Sequence, residues 1–399
     1  MKKALIAVVL GAVLLCGCGK EEKLAAAPIT AEAISKEAES SEESTKVEES
    51  EEAAEESEET SEPESDEAVI TERTVVDGKM QSYLTGEWKD EAVVKRRSMA
   101  VMMPNNKKAM PQYGLSQASL IYEAPVEGGI SRLMAFYEDY DELDHIGPVR
   151  SSRDYYIYEA MAYDAIYCNW GLARPYVEEL INSDRIDNVS NAVAGIYNPA
   201  SEAFGRIDRP GYATEYTGYL FIDGYEKAVE RLGYSKEYRD TFVKAFNFAA
   251  DGHPATYEDK ESAAKIYPGG DTTNGSGYGD AKPYFEYNAE DGLYYRYQFG
   301  GKHIDEMNGE QLAVTNVVFK ICHGELRDQK YGYLAFGVHG EGDAYIFTAG
   351  KVIKGTWKRE SDTAPNLFFD EDGNEIILNQ GKTWMCNIWK EYQDCMMYE

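Results

Sequence analysis

The sequence lacks most of the short signatures that carry known chemistries. It has no G-x-S-x-G nucleophile elbow, no H-E-x-x-H, no C-x-x-C and no phosphate loop. Histidine is scarce, five in 399 residues. Positive charge is also in short supply: 40 Lys and Arg stand against 71 Asp and Glu, a net −31. A polyanion would be repelled at every encounter, which excludes nucleic acid as a partner. Long apolar runs are missing too, which excludes a multi-pass membrane protein. Ala4–Leu15, the apolar run at the N-terminus, has 12 residues, too few for a span. No cofactor or metal site is expected. His339, Glu341 and Asp343 alternate along one possible strand face, but a solvated loop explains them better. Asp370-Glu371-Asp372-Gly373-Asn374 lacks the spaced ligands of a calcium loop and reads as a turn.

What is present begins with a targeting signal. Lys2 and Lys3 precede the apolar run, which closes on Leu15-Cys16-Gly17-Cys18. A small residue directly before a cysteine is the site of lipoprotein signal peptidase. Residues 1–17 are therefore read as a signal peptide and Cys18 as the lipidated first residue, anchoring the chain to the membrane. This places the protein on the outer face of the cytoplasmic membrane. Residues 18–67 read as a disordered acidic linker. Within residues 19–68, 19 Asp and Glu face 4 Lys, and no aromatic residue precedes Tyr83. Such a segment cannot bury enough apolar surface to fold.

The expected fold class is α+β: a mixed α/β domain over 68–260, then a mostly β domain over 261–399. Buried strands are expected at 98–103, stopped by Pro104, and at 119–123, 132–137 and 165–168. Helices are expected at 152–161, capped by Ser151, at 174–182 and at 218–232. Residues 268–280 read as a loop. Asp291-Gly292 and Asp372-Gly373 each sit between strand-like runs and predict two hairpins. Four cysteines lie beyond the lipobox. Cys168 reads as a buried thiol; pairing among Cys168, Cys322, Cys386 and Cys395 stays open.

Charged residues concentrate between Gln112 and Gly171. Arg150 and Arg153 flank Ser151 and Ser152 before the first long helix. Together with Glu123, Glu127, Arg132, Asp154 and Asn169 they are the candidate ligand-binding residues. Guanidinium forks and hydroxyls beside free helix N–H groups suit a carboxylate, phosphate or acidic sugar. Three readings follow. The first is a non-enzymatic binding or accessory protein of the cell envelope, taking a cell-wall component or an envelope protein. The second is an envelope hydrolase or transferase with Glu123 or Glu127 as acid/base, aided by Asp154. The third is a purely structural protein, in which the glutamates neutralise the arginines internally.

The same stretch resembles the YerB-like lipoproteins of Gram-positive bacteria, a two-part domain family of unknown function. The resemblance rests on Ala100–Asn106, Pro111–Ala118, Ile121-Tyr122-Glu123, Val126–Arg132 and Ile146–Arg153. It is looser in the second half, through His303-Ile304-Asp305, Gly355-Thr356-Trp357 and Leu378–Trp384. The resemblance implies a lipid-anchored extracytoplasmic protein and no particular reaction. Asn169-Trp170-Gly171 and Arg209–Glu215 depart from the polar residues expected there, which puts any role of those groups in doubt.

Overall fold

The computed structural model describes residues 69–191, 193–270 and 275–399. Cys18, the signal peptide and the acidic linker lie outside the described residues. The four apolar runs of the first half form the strands Met99–Asn105, Leu120–Val126, Ile130–Tyr137 and Ile166–Asn169. They are buried along nearly their whole length, as befits strands covered on both faces. Pro104 does not end the first strand. Its carbonyl accepts from Gln112 Nε2 at 2.8 Å, and the parallel neighbour has already stopped opposite Val101. The missing N–H therefore faces no ladder partner.

These strands belong to one large mixed sheet. Its order runs Asn188–Ser190, Ile166–Asn169, Met99–Asn105, Ile130–Tyr137, Leu120–Val126, Thr383–Trp389, Asn316–Cys322, Gly340–Thr348, Lys351–Arg359 and Glu261–Ser262. Ile130–Tyr137 runs against both its neighbours, and the strand pairs Leu120–Val126 with Thr383–Trp389 and Thr383–Trp389 with Asn316–Cys322 are parallel. Seven strands thus point the same way, and their carboxyl ends share one edge of the sheet.

The two halves of the chain meet inside this sheet. Thr383 pairs with Leu120, and Cys386 with Glu123. The described residues form one compact unit. α-Helices occur before residue 260, and strands dominate after it, so the fold is α+β. One core, with Tyr122, Phe136, Tyr156 and Met385, lies under helix Asp154–Ala162. The other, with Ile121, Leu133, Phe285 and Trp384, lies under helix Ile222–Leu232 and a smaller sheet containing Tyr284–Asn288 and Leu293–Gln298.

Several local expectations change. Gly218–Phe221 is a strand paired with Phe204–Arg206, so the third helix begins at Ile222. The second is a single turn, Glu178–Ile181; Pro175 disfavours helical backbone at Arg174 before it. The first spans Asp154–Ala162 with Arg153 at its N-cap and no side-chain cap, so Ser151 does not cap it. Tyr284–Asn288 and Leu293–Gln298 form the expected hairpin. The hairpin about Asp372-Gly373 is shorter: Asp370 N–H donates to the Asn374 carbonyl at 2.8 Å, Ile376 N–H to that of Phe368 at 2.9 Å, and Phe369 bridges Glu375. Beyond it Leu367–Asp370 joins Lys351–Arg359, and Ile377–Leu378 runs parallel to Asn247–Ala249. Gly340–Thr348 is a strand rather than a loop. The four described cysteines are unpaired thiols, and burial pushes that of Cys168 well up.

Candidate site at the carboxyl edge of the sheet

Glu127 follows the strand Leu120–Val126 directly and sits on the carboxyl edge. The Gly128-Gly129 turn (φ +83° and +73°) returns the chain through Ile130 to Arg132. Segment 149–153 crosses the same edge: Arg150 N–H donates to the Met102 carbonyl at 2.8 Å, and Trp170 N–H to that of Arg150 at 3.1 Å. Glu127, Arg132 and Arg153 thereby come together. Arg153 engages Glu127 with two nitrogens, Nε at 3.0 Å from Oε2 and Nη2 on Oε1. Arg132 stands further off, with Nη2 at 3.7 Å from Glu127 Oε1, and donates Nη1 to the Ser151 carbonyl at 2.5 Å.

The electrostatics are uneven. Burial raises the Glu127 carboxyl, but Arg153 outweighs it and holds that carboxyl below the usual range. Arg132 is 7% exposed. Burial, reinforced by the Arg153 charge, lowers its guanidinium to about 10. Arg150 keeps 20% of its side chain exposed and faces Glu215, Nη2 to Oε2 at 3.5 Å. It touches neither Glu127 nor Arg153 by any ion pair, yet its charge still bears on Arg132.

The other candidates separate from this group. Glu123 is fully buried on the inner face of the sheet. Its Oε1 accepts from Asn105 Nδ2 (2.9 Å) and Ser131 Oγ (2.6 Å), and its Oε2 from Trp384 Nε1 (2.9 Å). Arg296 Nη2 lies 2.8 Å from Oε2, with both side chains sealed from solvent. Glu123 is therefore a structural anion and no ligand contact. Ser152 is buried and accepts from Tyr167 Oη at 2.8 Å. Asn169 is buried between the Ser190 hydroxyl (2.7 Å) and the Gly171 carbonyl (2.6 Å). These two shape the edge without facing it. Asp154 pairs with Arg327 Nη1 at 2.6 Å.

Arg327 is a site residue that the sequence reading missed, as are Tyr333, whose ring lies 5.2 Å from the Arg153 guanidinium carbon, and Tyr176. They arrive from outside the charged stretch, Arg327 and Tyr333 from the second half of the chain. The one available signal was the turn Asp328–Gly332 between polar and aromatic residues. Several grooves lie away from this edge. One of about 680 Å³ is lined by Asp251, Tyr287, Asn379 and their neighbours. Another of about 450 Å³ lies beside Pro111 and His303. Among the described residues no cluster of His, Cys, Asp and Glu is arranged to hold a metal, and no helix is long and apolar enough to cross a membrane.

A two-part α+β protein whose halves share one sheet, with an arginine-bearing carboxyl edge, defines the class. The chain belongs to the family described as protein of unknown function DUF3048: its N-terminal domain matches residues 84–235 and its C-terminal domain residues 275–385. It is 28% identical over 310 residues to a Bacillus subtilis (strain 168) protein named "Putative lipoprotein YerB", covering 77% of this chain and 86% of that one. The crystal structure of YerB from Bacillus subtilis superposes with a TM-score of 0.64 at 25% identity, covering 80% of this chain and 99% of the other. That relative's name describes it as a putative lipoprotein.

Proposed function

We propose that the protein is a lipoprotein held through Cys18 on the outer face of the cytoplasmic membrane, where it acts as a binding or accessory protein of the cell envelope. Its ligand is polar and anionic, a cell-wall component or an acidic segment of an envelope protein, taken at Arg132, Arg150 and Arg153. The observation that carries this reading is that two guanidiniums, Arg132 and Arg153, share the single carboxylate of Glu127. Glu127 is committed to Arg153, so Arg132 has only a carbonyl within hydrogen-bond distance. An anion at the edge would supply the missing counter-charge. Ligands of open sheets also favour the carboxyl ends of parallel strands. The hydrolase reading loses support: Glu123 is sealed, and a carboxyl held low by Arg153 suits no general acid.

The test is titration of the full chain with inorganic phosphate, citrate and polyglutamate, followed by thermal shift. Ligands of the native state raise its melting temperature. Arg150→Ala should weaken binding by about tenfold or more, the range for one charge-assisted hydrogen bond, with the fold intact. The effect should shrink at high salt. Anions that stabilise wild type and Arg150→Ala alike would sink this assignment.

A further inference from the structure

We infer that the ligand of this edge is an acidic glycan, gripped through its rings as well as its charges by the hairpin Gly324–Asp328/Tyr333–Phe336; this rests on the anion-binding reading above. The hairpin comes from the second half of the chain but seats on the edge built by the first. Arg327 pairs with Asp154 at 2.6 Å and lies over the Tyr176 ring at 4.8 Å. Tyr176 Oη donates to Asp328 Oδ2 at 3.2 Å, and its ring meets Tyr333 edge-on at 5.8 Å. A Cβ placed on Gly332 would lie 3.5 Å from that of Glu127, so the turn rests against the arginine cluster itself.

This packing leaves an aromatic ledge beside the guanidiniums. Tyr331 is 55% exposed, 5.7 Å from Tyr333, with Lys330 Nζ 4.7 Å from its ring centre; Leu326 is 49% exposed. An exposed ring beside a cation offers a stacking face to a partner. On the far side of segment 149–153 a second ledge is formed by Trp170, half-buried, with Arg206 4.6 Å over its ring and Phe204 at 5.7 Å. Contacts link the two: the Ser151 hydroxyl donates to the Trp170 carbonyl, the Ser151 carbonyl accepts from Arg132, Arg132 and Arg153 share Glu127, and Arg153 lies over Tyr333, which meets Tyr331. Two guanidiniums, Arg132 and Arg153, thus lie between an aromatic group on one side and an aromatic group on the other. A chain of sugar rings presents flat C–H faces to aromatic ledges, and carboxylate or phosphate substituents to guanidiniums. A plain polyanion would use half of this surface, and a neutral glycan the other half.

The experiment is calorimetric titration of the full chain with polygalacturonate, dextran, polyglutamate matched in charge, and a single-stranded oligodeoxynucleotide. Polygalacturonate should bind at least tenfold more tightly than each of the other three. Tyr331→Ala should weaken polygalacturonate about tenfold and leave polyglutamate unchanged, whereas Arg150→Ala should weaken both. Tyr331 is exposed, so its variant should keep the wild-type melting temperature. Equal binding of polyglutamate and polygalacturonate, tighter binding of the oligonucleotide, or an inert Tyr331→Ala beside an effective Arg150→Ala, overturns the glycan assignment and leaves the anion reading standing. Dextran binding as tightly as polygalacturonate, or no binding of either polyanion, overturns both.

Discussion

Replacing Arg296 with Met should cost about 3–5 kcal/mol of folding stability, the range for breaking one side of a buried ion pair. The reason lies in what is left behind. Glu123 would keep Asn105, Ser131 and Trp384 as donors, but its charge would sit in the core without a cation. The guanidinium also fills space against Trp384 and Phe285, at 4.2 and 4.9 Å from the ring centres. Its Nε donates to His303 Nδ1 at 3.3 Å, and His303 Nε2 bonds Gln112 Oε1 at 2.8 Å. Burial, with Arg296 adding to it, pushes His303 well below its ordinary range, so the imidazole is neutral in the wild type. In urea the midpoint should fall with the slope unchanged. The double variant Glu123→Gln, Arg296→Met should recover much of the loss, because no unpaired charge remains. A loss below about 1 kcal/mol for Arg296→Met would show that Glu123 is not held as a buried anion.

A second large effect is expected on the opposite face. Glu159, from the helix Asp154–Ala162, takes Lys320 Nζ at 2.6 Å and Asn366 Nδ2 at 2.8 Å, with Arg359 Nη1 at 3.6 Å. Glu159→Gln would leave two buried cations facing an amide, and should also cost about 3–5 kcal/mol. The pH dependence has a definite sign. Burial raises the Glu159 carboxyl, but Lys320 and Arg359 together outweigh it, so the folded value is below the ordinary one. A carboxyl depressed by folding contributes its full stability above the unfolded value and loses it as pH falls through the folded value. Wild type should therefore lose stability as pH drops below the ordinary glutamate range, while Glu159→Gln should lose less over the same interval. Parallel stability curves for the two proteins, measured by urea titration at several pH values, would remove Glu159 from the account.

The sequence made the interior strands legible because continuous apolar runs such as Met99-Ala100-Val101-Met102-Met103 have few other destinations. It concealed which strands are neighbours. The partner of Leu120–Val126 lies in Thr383–Trp389, and nothing in either segment specifies the other. That pairing is also why Glu123 was misplaced. Read alone, it is a carboxylate near arginines; in the sheet, Trp384 and Arg296 close over it. A clue was present at Leu293–Gln298, where Tyr294, Arg296 and Gln298 alternate on the buried side, so an arginine had to point inward. At the edge, Glu127, Arg132 and Arg153 were legible because the Gly128-Gly129 turn and Pro148 bound a short charged stretch. Arg327 and Tyr333 were not, since the hairpin that carries them reaches the edge only through packing across the two halves.

The strand pair Leu120–Val126 with Thr383–Trp389 has a consequence for how the chain is made. Glu123 and Cys386 are 263 positions apart, so a newly made chain exposes one flank of its first half until the last large strand has emerged. An unpaired, mostly apolar strand flank is a template for pairing with another chain, and contacts of such separation form slowly. The acidic leader, with 19 carboxylates against 4 lysines, places strong mutual repulsion on every nascent copy during that interval. Aggregation of the full chain during refolding should therefore increase when the carboxylates of residues 19–68 are replaced by amides.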